Sequence, residues 1–113
     1  MPYISTKTNV KISADSEVNI RAALGKAIEA IKGKSEYWLM LSFDDEARMA
    51  FRGDTAPTAM IEVEIFGSAS DEEYAALTAK ITDVISCELS ISPDRIYVKY
   101  EEIDTWGYAG ENF

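Results

Sequence analysis

The chain has 113 residues, 47% of them hydrophobic and 27% charged, with a net charge of −9 and no histidine. This composition fits one soluble domain with a modest core. The acidic balance disfavours nucleic acid as a partner, and no apolar run approaches the roughly 20 residues that span a bilayer. Without histidine there is no Ser-His-Asp or Cys-His chemistry, and the commonest transition-metal ligand is missing. The single cysteine, Cys87, excludes an intramolecular disulfide and a CxxC pair; its place in a helical pattern reads as a small half-buried hydrophobe. Chemistry, if present, falls to amines, carboxylates, phenols and backbone donors.

The first predicted strand covers residues 2–9, with Ile4, Thr6 and Thr8 on one face. It begins with Pro2, directly behind Met1. Proline has no N–H to give a ladder, so a strand's first position tolerates it best. Methionine is generally trimmed before a small second residue, which would leave Pro2 with a free secondary amine. Pro2 is therefore either a tolerated strand-starter or a catalytic amine.

A helix over about 15–32 is predicted from Ile20, Leu24, Ala27, Ile28 and Ile31, with Gly33 as its stop. The apolar run YWLMLSF (37–43) reads as the second strand, and a loop over 44–59 is expected to hold a short hairpin strand, RMAF (48–51). The acids of DDEA (44–47) read as solvated rather than as a metal site. MIEVEIF (60–66) alternates as the third strand, and Ser70 with Glu73 forms a capping box. The second helix carries Tyr74, Leu77, Ile81, Val84, Ile85 and Leu89 on one side. SPDR turns the chain into the last strand, RIYVKY (95–100).

The order β-α-β-β-α-β is one pattern written twice. Parallel pairs joined by right-handed crossovers predict an α+β two-layer fold (an α/β sandwich): a four-stranded mixed sheet with both helices on one face. Ile61, Val63, Ile65, Ile96 and Val98 belong to the covered face. Met40, Glu62, Glu64, Arg95, Tyr97 and Lys99 fall on the other, which a symmetric oligomer would cover.

The same topology brings the start of strand one, Lys34 before strand two, and Ile65 and Phe66 at the end of an antiparallel strand three to one sheet edge. A chain-terminal amine has a pKa of about 8. Apolar surroundings and a neighbouring ammonium both favour its neutral form, which could then act as a general base on a carbon beside a carbonyl. Lys34 would hold the substrate's carboxylate, or else is a solvated lysine suited to a helix C-terminus.

The ordered set MPYI, GK (33–34), MAFRGDTAP (49–57), ISPDRIYVKY (91–100) and WGYAGENF (106–113) resembles the macrophage migration inhibitory factor (MIF) family of the tautomerase superfamily. The resemblance covers essentially the whole chain as one domain, 1–113, and implies a homotrimer with active sites between subunits. It implies a cofactor-independent keto–enol tautomerase acting on phenylpyruvate- or dopachrome-like compounds, with Pro2 as the base after loss of Met1 and no metal. Lys34 anchors the carboxylate, the backbone around Ile65 and Phe66 lines the pocket, and Tyr97 comes from a neighbouring subunit. Trp106 and Tyr108 form an aromatic rim, and Lys99, where some relatives have asparagine, adds a positive group. The Cys-x-x-Cys of vertebrate members is TAMI (58–61) here, so thiol-redox activity is not expected. The alternative the resemblance carries is a cytokine-like signalling trimer with incidental tautomerase activity and a receptor partner. Location in the cytoplasm, or export without a signal peptide, is the matching expectation.

Overall fold

The computed structural model describes residues 1–113. Four strands form one mixed sheet in the order β2-β1-β3-β4, built from β1 (Pro2–Thr8), β2 (Met40–Asp44), β3 (Ala59–Phe66) and β4 (Ile96–Ile103). Each half supplies a parallel pair, β1 with β2 and β3 with β4, and β1 meets β3 antiparallel. Helices α1 (Ala14–Ala27) and α2 (Asp71–Leu89) pack together on one face of the sheet. The predicted architecture is the observed one.

Period-two alternation produces the core. Ala59, Ile61, Val63 and Ile65 are buried on the helix side, with Ile4, Thr6 and Thr8 beside them. The helices answer with stripes spaced by a turn: Ile20, Leu24 and Ala27 from the first, continued by Ile28 in the 3-10 turn Ile28–Ala30 that ends it, and Leu77, Ile81, Ile85 and Leu89 from the second. Val98 is only partly buried, against the edge of this core.

Helix α2 begins where the capping box predicts. Ser70 Oγ accepts from the Glu73 N–H at 3.1 Å, and Glu73 Oε1 accepts from the Ser70 N–H at 2.9 Å. Ser70→Ala should lower stability by about 1 kcal/mol, measured as a shift of the urea midpoint with unchanged slope.

Four expectations are corrected. The run from Tyr37 does not enter the sheet at once: Glu36–Trp38 form a 3-10 turn and β2 starts at Met40. RMAF (48–51) is not a strand; only an isolated bridge from Phe51 to Asp54 spans the turn at Arg52 and Gly53, both at positive φ. Arg95 does not lie on the open face. It sits in the 3-10 turn Pro93–Arg95, and its guanidinium donates to Pro57 O (2.9 Å), to Asp54 Oδ1 (2.8 Å) and to the Phe51 and Ala56 carbonyls (both 3.2 Å), pinning that loop. Cys87 is exposed, because it lies two residues past Ile85 and so turns away from the buried stripe.

In the acidic loop, Asp45 has a local task, its Oδ2 accepting the Ile12 N–H at 2.8 Å. The chain also ends in an unpredicted hairpin, β5 (Gly107–Tyr108) with β6 (Glu111–Asn112). Its two turn residues, Ala109 and Gly110, have φ of 53° and 85°, the pair of left-handed conformations that a tight two-residue hairpin requires.

Candidate active site at the start of the sheet

Lys34 is positioned by the turn that follows the first helix. Gly33 takes φ 84°, and the Lys34 N–H donates back to Ile31 O at 3.0 Å. A side chain at the third position of such a turn would be strained, so glycine is needed there. The turn is fastened to the second helix, since Glu73 Oε2 accepts the Lys32 N–H at 2.7 Å. One carboxylate thus caps α2 and holds the loop that presents Lys34. These backbone donors keep the Glu73 carboxyl below its ordinary pKa, Lys32 contributing most.

The antiparallel register sets Pro2 opposite Ile65. One step further, Met1 O accepts the Phe66 N–H at 3.0 Å, and Lys34 Nζ donates to Phe66 O at 3.0 Å. Pro2, Lys34, Ile65 and Phe66 therefore meet at one sheet edge, as the topology predicts. Ile65 turns its side chain into the core and brings only backbone to the edge.

An amine at this edge is held close to neutrality. The Met1 terminal amine falls from its ordinary 8.0 to about 6, first because burial penalises the ammonium and then through the hydrogen bond and positive charge of Lys34. While Met1 remains attached, the Pro2 nitrogen is an amide.

A cavity of about 850 Å³ opens beside Pro2. Trp106 and Tyr108 line it, as the tail motif predicts, and so do Tyr37 and Trp38, which sequence reasoning assigned to a strand. The Trp38 and Tyr108 rings meet edge to face at 5.1 Å, so the C-terminal hairpin and the 3-10 turn build one aromatic wall. Tyr3, Met40, Ser42 and Glu64 complete the floor from the open face of the sheet, with Tyr3 Oη and Ser42 Oγ 2.6 Å apart. The available signal for Tyr37 and Trp38 was two aromatics placed three residues after Lys34; for Glu64 it was the acid next to Ile65.

Five predicted residues do not line this cavity within one chain: Lys34, Ile65 and Phe66 stand at the adjoining sheet edge, with Lys34 Nζ turned to the Phe66 carbonyl, and Tyr97 and Lys99 lie elsewhere on the open face. Tyr97 is paired with Met60, itself opposite Lys7, five residues along β1 from Pro2 and so roughly 17 Å away. There it packs on Phe51 at 5.0 Å. Lys99 lies on the open face beside Glu62, 3.5 Å from its carboxylate.

The sequence matches the family described as Macrophage migration inhibitory factor (MIF) over residues 1–112. The chain belongs to the MIF family. Its structure superposes on that of Leishmania major MIF2 with a TM-score of 0.94 at 33% identity, covering 100% of this chain and 97% of the other. The macrophage migration inhibitory factor homologue from Prochlorococcus marinus gives a TM-score of 0.89 at 28% identity, with 98% of each chain covered. Macrophage migration inhibitory factor from Meriones unguiculatus is 24% identical over 115 residues, covering 100% of this chain and 99% of the relative.

Proposed function

We propose that this MIF-family chain is a cofactor-independent keto–enol tautomerase of small aromatic α-keto acids, with the Pro2 amine as general base once Met1 is removed. The observation that carries the reading is the meeting of Pro2 and Lys34 at one edge, beside an aromatic cavity, where an amine is driven toward its neutral form. Lys34 holds the substrate carboxylate. The neutral Pro2 nitrogen takes a proton from the carbon next to the keto group, the electron pair moves onto the carbonyl oxygen, and a proton delivered there completes the enol. Trp106, Tyr108, Tyr37 and Trp38 stack on the ring.

Tyr97 and Lys99 enter this reading from a neighbouring copy in a homotrimer that covers the open sheet face. Tyr97 and Met40 on that face are 56% and 67% exposed in the single chain, apolar surface that a symmetric neighbour would cover. Tyr97 would donate to the forming enol oxygen or make the pocket more polar.

The test is the ultraviolet absorbance of phenylpyruvate enol, on protein whose intact mass proves that Met1 is gone. Catalysed interconversion is expected; its absence from verified free-Pro2 protein overturns the reading. The pH profile is a second check. A base must be neutral to act; burial and Lys34 depress the Met1 amine at this edge, and the same surroundings acting on a freed Pro2 amine should make kcat/KM climb with pH through an inflection below the ordinary amine value of about 8. An inflection at or above that value would mean that the base is some other group.

A further inference from the structure

Glu64 is the only charged side chain lining the cavity. On the open face Glu62 pairs with Lys99 at 3.5 Å and Asp44 with Lys7 at 3.7 Å, whereas Glu64 and Glu101, its register partner on β4, take part in none of the chain's four salt bridges; of these two only Glu64 lines the cavity. Its cavity neighbours include the rings of Tyr37, Trp38, Trp106 and Tyr108. An ionised carboxylate only accepts hydrogen bonds, and electron-rich ring faces attract cations. Acid and rings therefore ask for the same ligand group.

Position adds a second constraint. Lys34 Nζ bonds the carbonyl of Phe66, two residues from Glu64 along β3, and two strand residues span roughly 7 Å. A positive and a negative anchor thus stand about one aromatic ring and a short acid arm apart.

We propose that Glu64 and the aromatic wall form a subsite for an ammonium group at the far end of an aromatic acid whose carboxylate lies at Lys34. The proposal names the substrate class within the tautomerase reading, but its binding half does not need turnover. A zwitterionic aromatic α-keto acid fits both anchors; one with a second carboxylate in the para position meets Glu64 as a like charge.

The experiment compares two non-reacting probes, para-(aminomethyl)phenylacetate and phenylacetate, by quenching of Trp38 and Trp106 fluorescence. The aminomethyl probe should bind about tenfold more tightly, the scale of one charge-assisted contact with cation–π support. Glu64→Gln should erase that preference, and phenylacetate, relieved of a like charge, should bind at least as tightly as to the parent, which also establishes that the variant pocket is intact. Equal binding of the two probes, or a preference that survives Glu64→Gln, overturns the proposal; the first result is also what a neighbouring copy's Lys99 occupying Glu64 would produce. The matching keto acids, para-(aminomethyl)phenylpyruvate against phenylpyruvate, should show the same ratio in KM. Turnover without the Glu64-dependent ratio sinks this inference and spares the tautomerase reading, and the binding preference without turnover does the reverse.

Discussion

Retaining Met1 should abolish tautomerisation by the Pro2 route, a loss of about 10²–10⁴ in kcat/KM, the usual contribution of a positioned general base. The cause is electronic. As an amide, the Pro2 nitrogen shares its lone pair with the Met1 carbonyl and has no basicity left for a carbon-bound proton. Steric loss adds to it, since Met1 itself lines the cavity and its carbonyl bonds the Phe66 N–H at 3.0 Å. Pro2→Gly in the trimmed chain is the subtler change: it keeps a terminal amine but loses the buried ring that fixes its direction, so a drop of about a hundredfold is expected, toward the lower end of the same range. Circular dichroism and particle mass should match the parent, because a first strand residue gives no ladder N–H that glycine would have to restore. If the Met1-bearing and trimmed chains turn over phenylpyruvate equally, the base is not Pro2.

The legible part of this chain is what local pattern and topology determine together. Alternation in MIEVEIF and the spacing of Leu77, Ile81, Ile85 and Leu89 identify the buried faces, and the two-fold repeat of β-α-β then brings Pro2 and Lys34 to the same edge. Errors arose where register, not propensity, decides. β1 and β2 pair from Tyr3 opposite Met40 onward, so Tyr37 and Trp38 lie ahead of the first paired position. With no strand to bond, Glu36–Trp38 coil into a turn and leave two aromatics over the cavity. RMAF fails as a strand because the chain turns directly after it, with Arg52 and Gly53 at positive φ, leaving room only for the single Phe51–Asp54 bridge. Arg95 is released from β4 because β3 begins only at Ala59, whose partner is Ile96. Glu64 reads in the sequence only as an acid on the open, oligomer-covered face, because alternation reports which face a residue is on, not that the C-terminal hairpin and the 3-10 turn enclose that part of the face.

Lys34→Met should raise KM for phenylpyruvate by about 10- to 150-fold, the loss of one hydrogen bond to a charged group worth roughly 1.5–3 kcal/mol. The effect belongs in KM if Lys34 holds the carboxylate equally in substrate and transition state. Methionine preserves the length and apolar body of lysine, so the loop from Ile31 to Lys34 should keep its Glu73 contact at Lys32, which is made by backbone. The same variant has a second signature. Lys34 lowers the pKa of an amine at this edge both by its hydrogen bond and by its charge, while burial, the largest cause, stays. Removing the lysine should therefore shift the basic inflection of kcat/KM upward, part of the way back toward the ordinary amine value, so that activity at neutral pH suffers more than activity at pH 9. Lys34→Arg restores the charge and should move both KM and the inflection back toward the parent. A fall in kcat with unchanged KM and an unmoved inflection would assign Lys34 to the chemical step and leave the substrate carboxylate to another cation, for which Lys99 of a neighbouring copy is the first candidate.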